Sequence, residues 1–122
     1  MMMLDFSIIT VSYDSALTIS ETIDSVLSQK GVEFEYIIID GGSKDNTLEI
    51  IKSYNDPRIK YISEPDNGLY DAMNKGVKLA RGEIVAILNS DDLYTHERVL
   101  DRVKNEILFN SSDIVSGACL LF

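Results

Sequence analysis

Two adjacent aspartates, Asp91 and Asp92, follow a short apolar run at residues 84–88, and their side chains could hold a divalent metal ion. Neighbouring carboxylates at the end of a buried strand repel each other unless a cation or a proton relieves the repulsion. Mg²⁺ is typically held by one or two carboxylates together with substrate phosphates. Because Asp is also a common turn residue, a second interpretation stays open, in which Asp92 caps a turn or helix and Asp91 is solvated.

Polar residues also follow the two earlier apolar runs. Asp40 comes directly after three isoleucines, where it could accept hydrogen bonds from a nucleoside or begin the turn at Gly41-Gly42. Ser12 and Tyr13 follow the first run, and the Tyr13 ring could stack on a base or pack against the sheet edge. No Gly-x-Gly-x-x-Gly follows a strand and no Walker lysine is present, so the common dinucleotide and P-loop sites are excluded.

Three more candidates lie in or near the segment that follows Glu64-Pro65. Asp66 stands at the end of a predicted strand, and Asn74 and Lys75 lie on the predicted helix that follows. Lys75 could meet a diphosphate or belong to a solvated helix face. His96 is the single histidine, and as an exposed residue in a first helical turn it is assigned no chemistry.

Strand-like apolar runs alternate with segments of helical periodicity along the whole chain. Strands are predicted at residues 6–12, 36–39, 59–62, 84–88 and 113–116. Helices are predicted at 16–29 and at 69–80, the first of them capped by Asp14-Ser15. Two further helices are predicted, one that is capped by Ser43 or Asp45 and extends to residue 54, and one that is capped by Thr95 or His96 and extends to residue 108. This alternation predicts an α/β domain with a mainly parallel sheet and helices on both faces. Ligands of such sheets bind outside the carboxyl ends of the strands, where the candidate residues collect.

The amino-acid composition limits the classes of partner and the kind of protein that the chain can be. The chain has 122 residues with 20 acidic and 11 basic side chains, a net charge of −9, and this balance argues against nucleic acid, which is bound largely through Lys and Arg. One cysteine excludes an internal disulfide and a multi-cysteine zinc site. No apolar stretch is long enough to span a bilayer, and the N-terminus has no secretory signal pattern. We therefore expect a single cytoplasmic domain.

Four segments, taken together and in order, resemble the donor-binding half of family 2 glycosyltransferases with the GT-A fold. They are residues 7–13 (SIITVSY), 35–47 (EYIIIDGGSKDNT), 64–76 (EPDNGLYDAMNKG) and 81–92 (RGEIVAILNSDD). The resemblance implies a Rossmann-like GT-A fold and an enzyme that transfers a sugar from a UDP- or GDP-sugar to an acceptor, with Mg²⁺ or Mn²⁺ on the diphosphate. It implies nucleotide contacts by Ser12, Tyr13, Asp40, Asp66, Asn74, Lys75, Asn89 and Asp91, and metal binding by Asp91 and Asp92.

The chain departs from the family pattern at three places. Gly41 replaces an aspartate that commonly contacts the base, and Asn89 replaces the first carboxylate of the usual Asp-x-Asp metal motif. The family places the catalytic base of inverting members beyond the position of Phe122. We therefore expect residues 1–122 to be the nucleotide-sugar-binding part of a truncated domain that lacks the acceptor-binding part and is inactive alone.

The resemblance also implies partners for the full-length protein. We expect a saccharide or lipid-linked acceptor, a role in polysaccharide or glycoconjugate biosynthesis, and peripheral association with the inner face of the membrane. An unpaired sheet edge could support a homodimer. Two alternatives stay open: a non-catalytic nucleotide-binding module, and a phospho-receiver domain, although the latter needs an acidic cluster where this chain has Ser12-Tyr13-Asp14.

Overall fold

The computed structural model describes residues 4–110 and 118–121 of the chain. Strands and helices alternate throughout the described part. In chain order they are β1 (Phe6–Ser12), α1 (Ile19–Leu27), β2 (Phe34–Asp40), α2 (Thr47–Lys52), β3 (Ile59–Ser63), α3 (Leu69–Leu79), β4 (Ile84–Ile87), α4 (Val99–Asn110) and β5 (Ala118–Leu121).

The strands form one sheet in the order β3-β2-β1-β4-β5, in which every neighbouring pair is parallel. The predicted parallel sheet is therefore confirmed. Strand β2 is buried along its whole length, and its run of isoleucines is continuous because both faces of a central parallel strand are covered.

Alternating side chains of the strands build two cores, one on each face of the sheet. Ile8 and Ile38 point into the larger core, which also contains residues of α1, α2 and α4. Ile9 and Ile37 point to the opposite face, where they pack with Ala72 of α3. Helices thus cover both faces, as predicted.

Helix α3 lies unusually close to β1. A Cβ placed on Gly76 would stand only 2.6 Å from Cγ2 of Ile9, so a larger residue at this position would force the helix away from the sheet. Glycine in a helix interior costs about 1 kcal/mol of stability relative to alanine. The close approach of α3 to β1 explains why glycine is nevertheless found at position 76.

Several predicted boundaries are wrong by a few residues. Helix α1 begins at Ile19 rather than at residue 16, because the carbonyl of Ser15 accepts hydrogen bonds from the N–H groups of both Thr18 and Ile19 and closes a separate turn. Neither Asp14 nor Ser15 is its cap; the N-cap position is Thr18, which makes no side-chain cap hydrogen bond.

The later boundaries differ as well. The N-cap position of α2 is Asn46 rather than Ser43 or Asp45, and the helix ends at Lys52 rather than at residue 54. Asp45 Oδ1 nevertheless accepts the N–H of Thr47 at 3.0 Å. Helix α4 begins at Val99, after a segment in which His96 Nδ1 accepts the N–H of Arg98. The predicted strand at 113–116 lies outside the described residues, and the observed fifth strand is Ala118–Leu121. None of the helices in the described part of the chain is long and apolar enough to cross a membrane.

Candidate functional site

A cleft of about 930 Å³ opens at the carboxyl ends of β1 and β4. The chain runs from β1 outward to β2 and β3 on one side and returns to place β4 on the other side of β1. Ligands of open parallel sheets bind at this kind of reversal. The cleft is lined by Val11, Ser12, Tyr13, Asp14, Ser15, Leu17, Thr18, Gly41, Asp66, Gly68, Leu69, Asn89, Ser90 and Asp91.

Five residues singled out from the sequence meet in this cleft. Ser12 and Tyr13 come from the end of β1, Asp66 from the loop before α3, and Asn89 and Asp91 from the loop after β4. Tyr13 is half exposed at the mouth. Residues distant in sequence are brought together because the carboxyl ends of parallel strands share one edge.

Asp40 lies beside the cleft but is fully buried. Its Oδ1 accepts hydrogen bonds from the hydroxyls of Ser12 (3.0 Å) and Ser43. Its Oδ2 accepts from Ser63 Oγ (2.8 Å) and from the N–H groups of Gly42 and Ser43. Burial alone would raise the pKa of Asp40, but these hydrogen bonds outweigh it and hold the pKa below its ordinary value. The ionised carboxylate therefore joins the ends of β1, β2 and β3.

Asn74 and Lys75 of α3 do not line the cleft. Asn74 is exposed, and the ammonium of Lys75 pairs with Glu64 at 3.0 Å and with Asp71 at 3.7 Å. The hydrogen bond to Glu64, reinforced by the nearby negative charges, raises the pKa of Lys75. Its positive charge is therefore used to hold α3 against the preceding loop.

The loop after β4 closes in a turn that carries the two adjacent aspartates. The N–H of Asp92 donates to the carbonyl of Asn89 at 3.0 Å, and the side chains of both Asp91 and Asp92 are exposed. Asp91 lines the cleft, whereas Asp92 lies just outside it. We call residues 89–92 the acidic turn.

Asp14 also lines the cleft, although the sequence assigns it no ligand contact. Asp14 has a backbone φ of +48°, in the left-handed region that Asp tolerates better than most residues. Its Oδ1 accepts the N–H groups of Lys44 (2.7 Å) and Asp45 (3.3 Å), and its own N–H donates to Ser43 Oγ. Its position directly after the first strand, at the sheet edge where ligands bind, is the signal in the sequence that indicates this placement.

Two apolar side chains at the cleft were also missed. Leu69 belongs to the apolar periodicity of α3, which predicts a core position, yet it is 51% exposed and lines the cleft. Leu17 also lines the cleft and is 98% exposed. Helical spacing alone does not distinguish an apolar residue that faces the core from one that faces a cleft at the end of the helix.

The cleft is negatively charged. Asp14, Asp66 and Asp91 line it, and none of the described lining residues is Lys, Arg or His. Within the described part of the chain, no three His, Cys, Asp or Glu side chains are placed to hold a metal ion by themselves. The three carboxylates would repel an anionic ligand, and a divalent cation bound with it would relieve that repulsion. Such a cation would take its remaining oxygen ligands from the anion or from water. Carboxylate oxygens suit hard cations such as Mg²⁺.

Comparison with known proteins agrees with the family resemblance of the sequence. The family model for glycosyl transferase family 2 matches residues 7–121. The chain is 33% identical over 119 residues to the succinoglycan biosynthesis protein ExoO of Rhizobium meliloti (strain 1021), an alignment that covers 92% of this chain and 34% of that protein.

Two solved structures share the fold. TarS residues 1–349 of S. aureus in complex with UDP-GlcNAc superposes with a TM-score of 0.75 and 28% identity, over 85% of this chain and 31% of that one. The mannosyltransferase PcManGT of Pyrobaculum calidifontis, in complex with GDP-Man and Mn²⁺, superposes with a TM-score of 0.77 and 23% identity, over 92% and 34%. The chain therefore spans about a third of the length of these relatives.

Proposed function

The chain belongs to glycosyl transferase family 2, and from this membership we propose that it forms the nucleotide-sugar-binding part of a glycosyltransferase. The full protein would transfer a sugar from a UDP- or GDP-sugar to an acceptor hydroxyl with inversion. The observation that carries the proposal is a cleft at the strand reversal with three carboxylates and no basic side chain among its described lining residues.

The charge of the cleft supports a metal-dependent mode of binding. A nucleoside diphosphate would be repelled by Asp14, Asp66 and Asp91 unless a divalent cation accompanied it. Asp91 and Asp92 would hold Mg²⁺ or Mn²⁺ together with the phosphates, which would supply further oxygen ligands beside these two carboxylates. When bound, such an ion neutralises charge on the departing nucleoside diphosphate.

The positions of the other residues suggest how the nucleoside is held. Ser12 and Tyr13 would lie along the base, with the half-exposed Tyr13 ring available for stacking. Asn89 would reach the ribose through its amide. Asp40 would act through the backbone that it fixes, since its own oxygens are engaged by five donors.

ExoO is named for succinoglycan biosynthesis, which supports a role of the whole protein in polysaccharide biosynthesis. The resemblance to the family, rather than this name, is the basis for proposing a saccharide or lipid-linked acceptor and a cytoplasmic protein at the inner face of the membrane. The acceptor site and the catalytic base would belong to sequence outside residues 1–122.

The phospho-receiver alternative has no support. The Asp40 carboxylate, which would be the phosphoacceptor, is fully buried under five hydrogen bonds. A non-catalytic nucleotide-binding module would have the same cleft, and it differs from the proposed enzyme only in lacking transfer by the full-length protein.

Isothermal titration of the chain with UDP and GDP tests the proposal. Saturable binding in Mn²⁺ that is lost in EDTA is expected, and the tighter nucleotide identifies the base. ADP serves as the control ligand. Equal affinity in Mn²⁺ and in EDTA, or no binding by a chain whose circular dichroism shows it folded, would contradict the proposal.

A further inference from the structure

Helix α1 and the residues that flank it on either side present a row of polar side chains to the segment that follows β4. The row consists of Ser15, Thr18, Thr22, Ser25 and Gln29, spaced three or four residues apart, and we call it the α1 polar stripe. Residues at this spacing share one face of a helix. Every member makes a hydrogen bond to residues 90–100.

The α1 polar stripe contacts the segment between β4 and α4 along the length of that segment, and the contacts follow the order of the two sequences. Ser15 Oγ lies 2.8 Å from Ser90 Oγ, at the acidic turn. At the other end, Gln29 Nε2 donates to the carbonyl of His96 at 2.7 Å and Gln29 Oε1 accepts the N–H of Leu100 at 3.1 Å. The segment between β4 and α4 is therefore fixed by α1, because its own secondary structure supplies few hydrogen bonds.

The two threonines of the stripe act on the acidic turn itself. Thr18 Oγ1 donates to the carbonyl of Ser90 at 2.8 Å. Thr22 Oγ1 lies 2.5 Å from the carbonyl of Asp92 and 3.0 Å from that of Ser90. Each hydroxyl has one proton to donate, so two threonines match two carbonyls. Those carbonyls flank Asp91, and the backbone on both sides of its side chain is thereby fixed.

We propose that Thr22 is a positioning residue that holds Asp91 in the orientation needed to bind the metal and diphosphate. The inference rests on the proposed function. Thr22 is 1% exposed and is not one of the residues that line the cleft, so it would act on a bound ligand only through the backbone of the acidic turn. Without its hydroxyl the carbonyl of Asp92 loses its donor, and the turn can rotate Asp91 away from the cleft.

The test compares Thr22→Val, which keeps the shape and removes the hydroxyl, with Thr22→Ser, which keeps the hydroxyl. We expect Thr22→Val to weaken Mn²⁺-dependent UDP binding about tenfold, the effect of one hydrogen bond, and Thr22→Ser to stay near the parent. Amide hydrogen exchange at Asp92 should accelerate in Thr22→Val alone, and this second readout needs no ligand.

Thr10→Val is the matched control. Thr10 is equally buried, and its Oγ1 bonds Tyr36 Oη at 2.7 Å rather than the acidic turn. It should lose stability without a change in UDP affinity. If Thr22→Val fails to fold, Thr18→Val replaces it, and hydrogen exchange at Asp92 is then the deciding measurement because Thr18 itself lines the cleft. Faster exchange is again expected.

The outcomes distinguish the positioning role of Thr22 from the proposed function of metal-dependent nucleotide binding. Parent-like UDP affinity and parent-like exchange in Thr22→Val would overturn the positioning role while leaving metal-dependent binding intact. Equal losses of affinity in Thr22→Val and Thr10→Val would also overturn it, because the effect would then be general destabilisation. Absence of metal-dependent binding in the unmodified chain would overturn both this inference and the proposed function.

Discussion

The carboxylate of Asp66 lies directly over Gly41, and a Cβ built on Gly41 would stand 2.9 Å from Asp66 Oδ2. The two residues come from different loops of the cleft wall, after β2 and before α3. Asp66 Oδ1 accepts the N–H of Gly68 at 3.1 Å, so the carboxylate cannot move aside without loosening that loop. Glycine is therefore favoured at position 41 because the Asp66 carboxylate occupies the space that a side chain at position 41 would need.

Replacement of Gly41 by Ala tests this relationship. The new methyl group should displace Asp66, lower the free energy of unfolding by about 1 kcal/mol and weaken UDP binding in titration calorimetry. In an Asp66→Ala background the same change should cost much less, and a double-mutant cycle measures the difference. Equal costs in both backgrounds would show that the contact is unimportant.

The two aspartates of the acidic turn should contribute unequally. Asp91→Asn should weaken UDP binding in Mn²⁺ by tenfold or more, on the order of the 1.4 kcal/mol or more that a charged interaction provides, because Asp91 lines the cleft. Asp92→Asn should have a smaller effect, and the double variant should bind equally in Mn²⁺ and EDTA. Exposed Glu49 of α2 offers the control, since Glu49→Gln removes one charge far from the turn. A metal dependence that persists in the double variant would contradict the assignment.

Asp40→Asn should destabilise the fold in a pH-dependent way. An amide can accept fewer of the five hydrogen bonds, so we expect a loss of about 3 kcal/mol at neutral pH. The folded pKa of Asp40 is lowered, so its contribution is complete above the unfolded pKa of about 3.9 and is lost as the pH falls through the folded value. Urea unfolding of parent and variant at neutral and acidic pH should therefore converge on the acidic side. A difference that stays constant with pH would show that ionisation of Asp40 does not matter.

Gly76→Ala should destabilise the protein although alanine is the better helix former. The added methyl would meet Cγ2 of Ile9 at 2.6 Å, and overpacking of this kind costs about 1–3 kcal/mol. Urea denaturation measures the loss, with exposed Lys78→Ala on the same helix as the control. In an Ile9→Ala background the penalty should shrink. A stabilised Gly76→Ala variant would mean that α3 can shift at no cost.

Much of the fold was predictable because its signals are local. The isoleucines at 37–39 predict a strand covered on both faces, and the apolar spacing of α1 predicts an amphipathic helix, since each pattern depends on residues a few positions apart. The regular alternation of such segments predicts the parallel sheet, and the sheet in turn predicts that Ser12, Asp66 and Asp91 meet at one edge. The structure confirms the sheet and places these three residues in one cleft.

The remaining features depend on contacts between residues far apart in the chain. The burial of Asp40 requires hydroxyls from β1 and β3, and the first turn of α4 is completed by Gln29, 71 positions before Leu100. The same sequence spacing that predicts a core position for Leu69 puts it at the cleft. Local periodicity determines which face of a helix or strand is apolar. Which polar groups come into contact is decided only when the helices pack against the sheet and bring distant residues together.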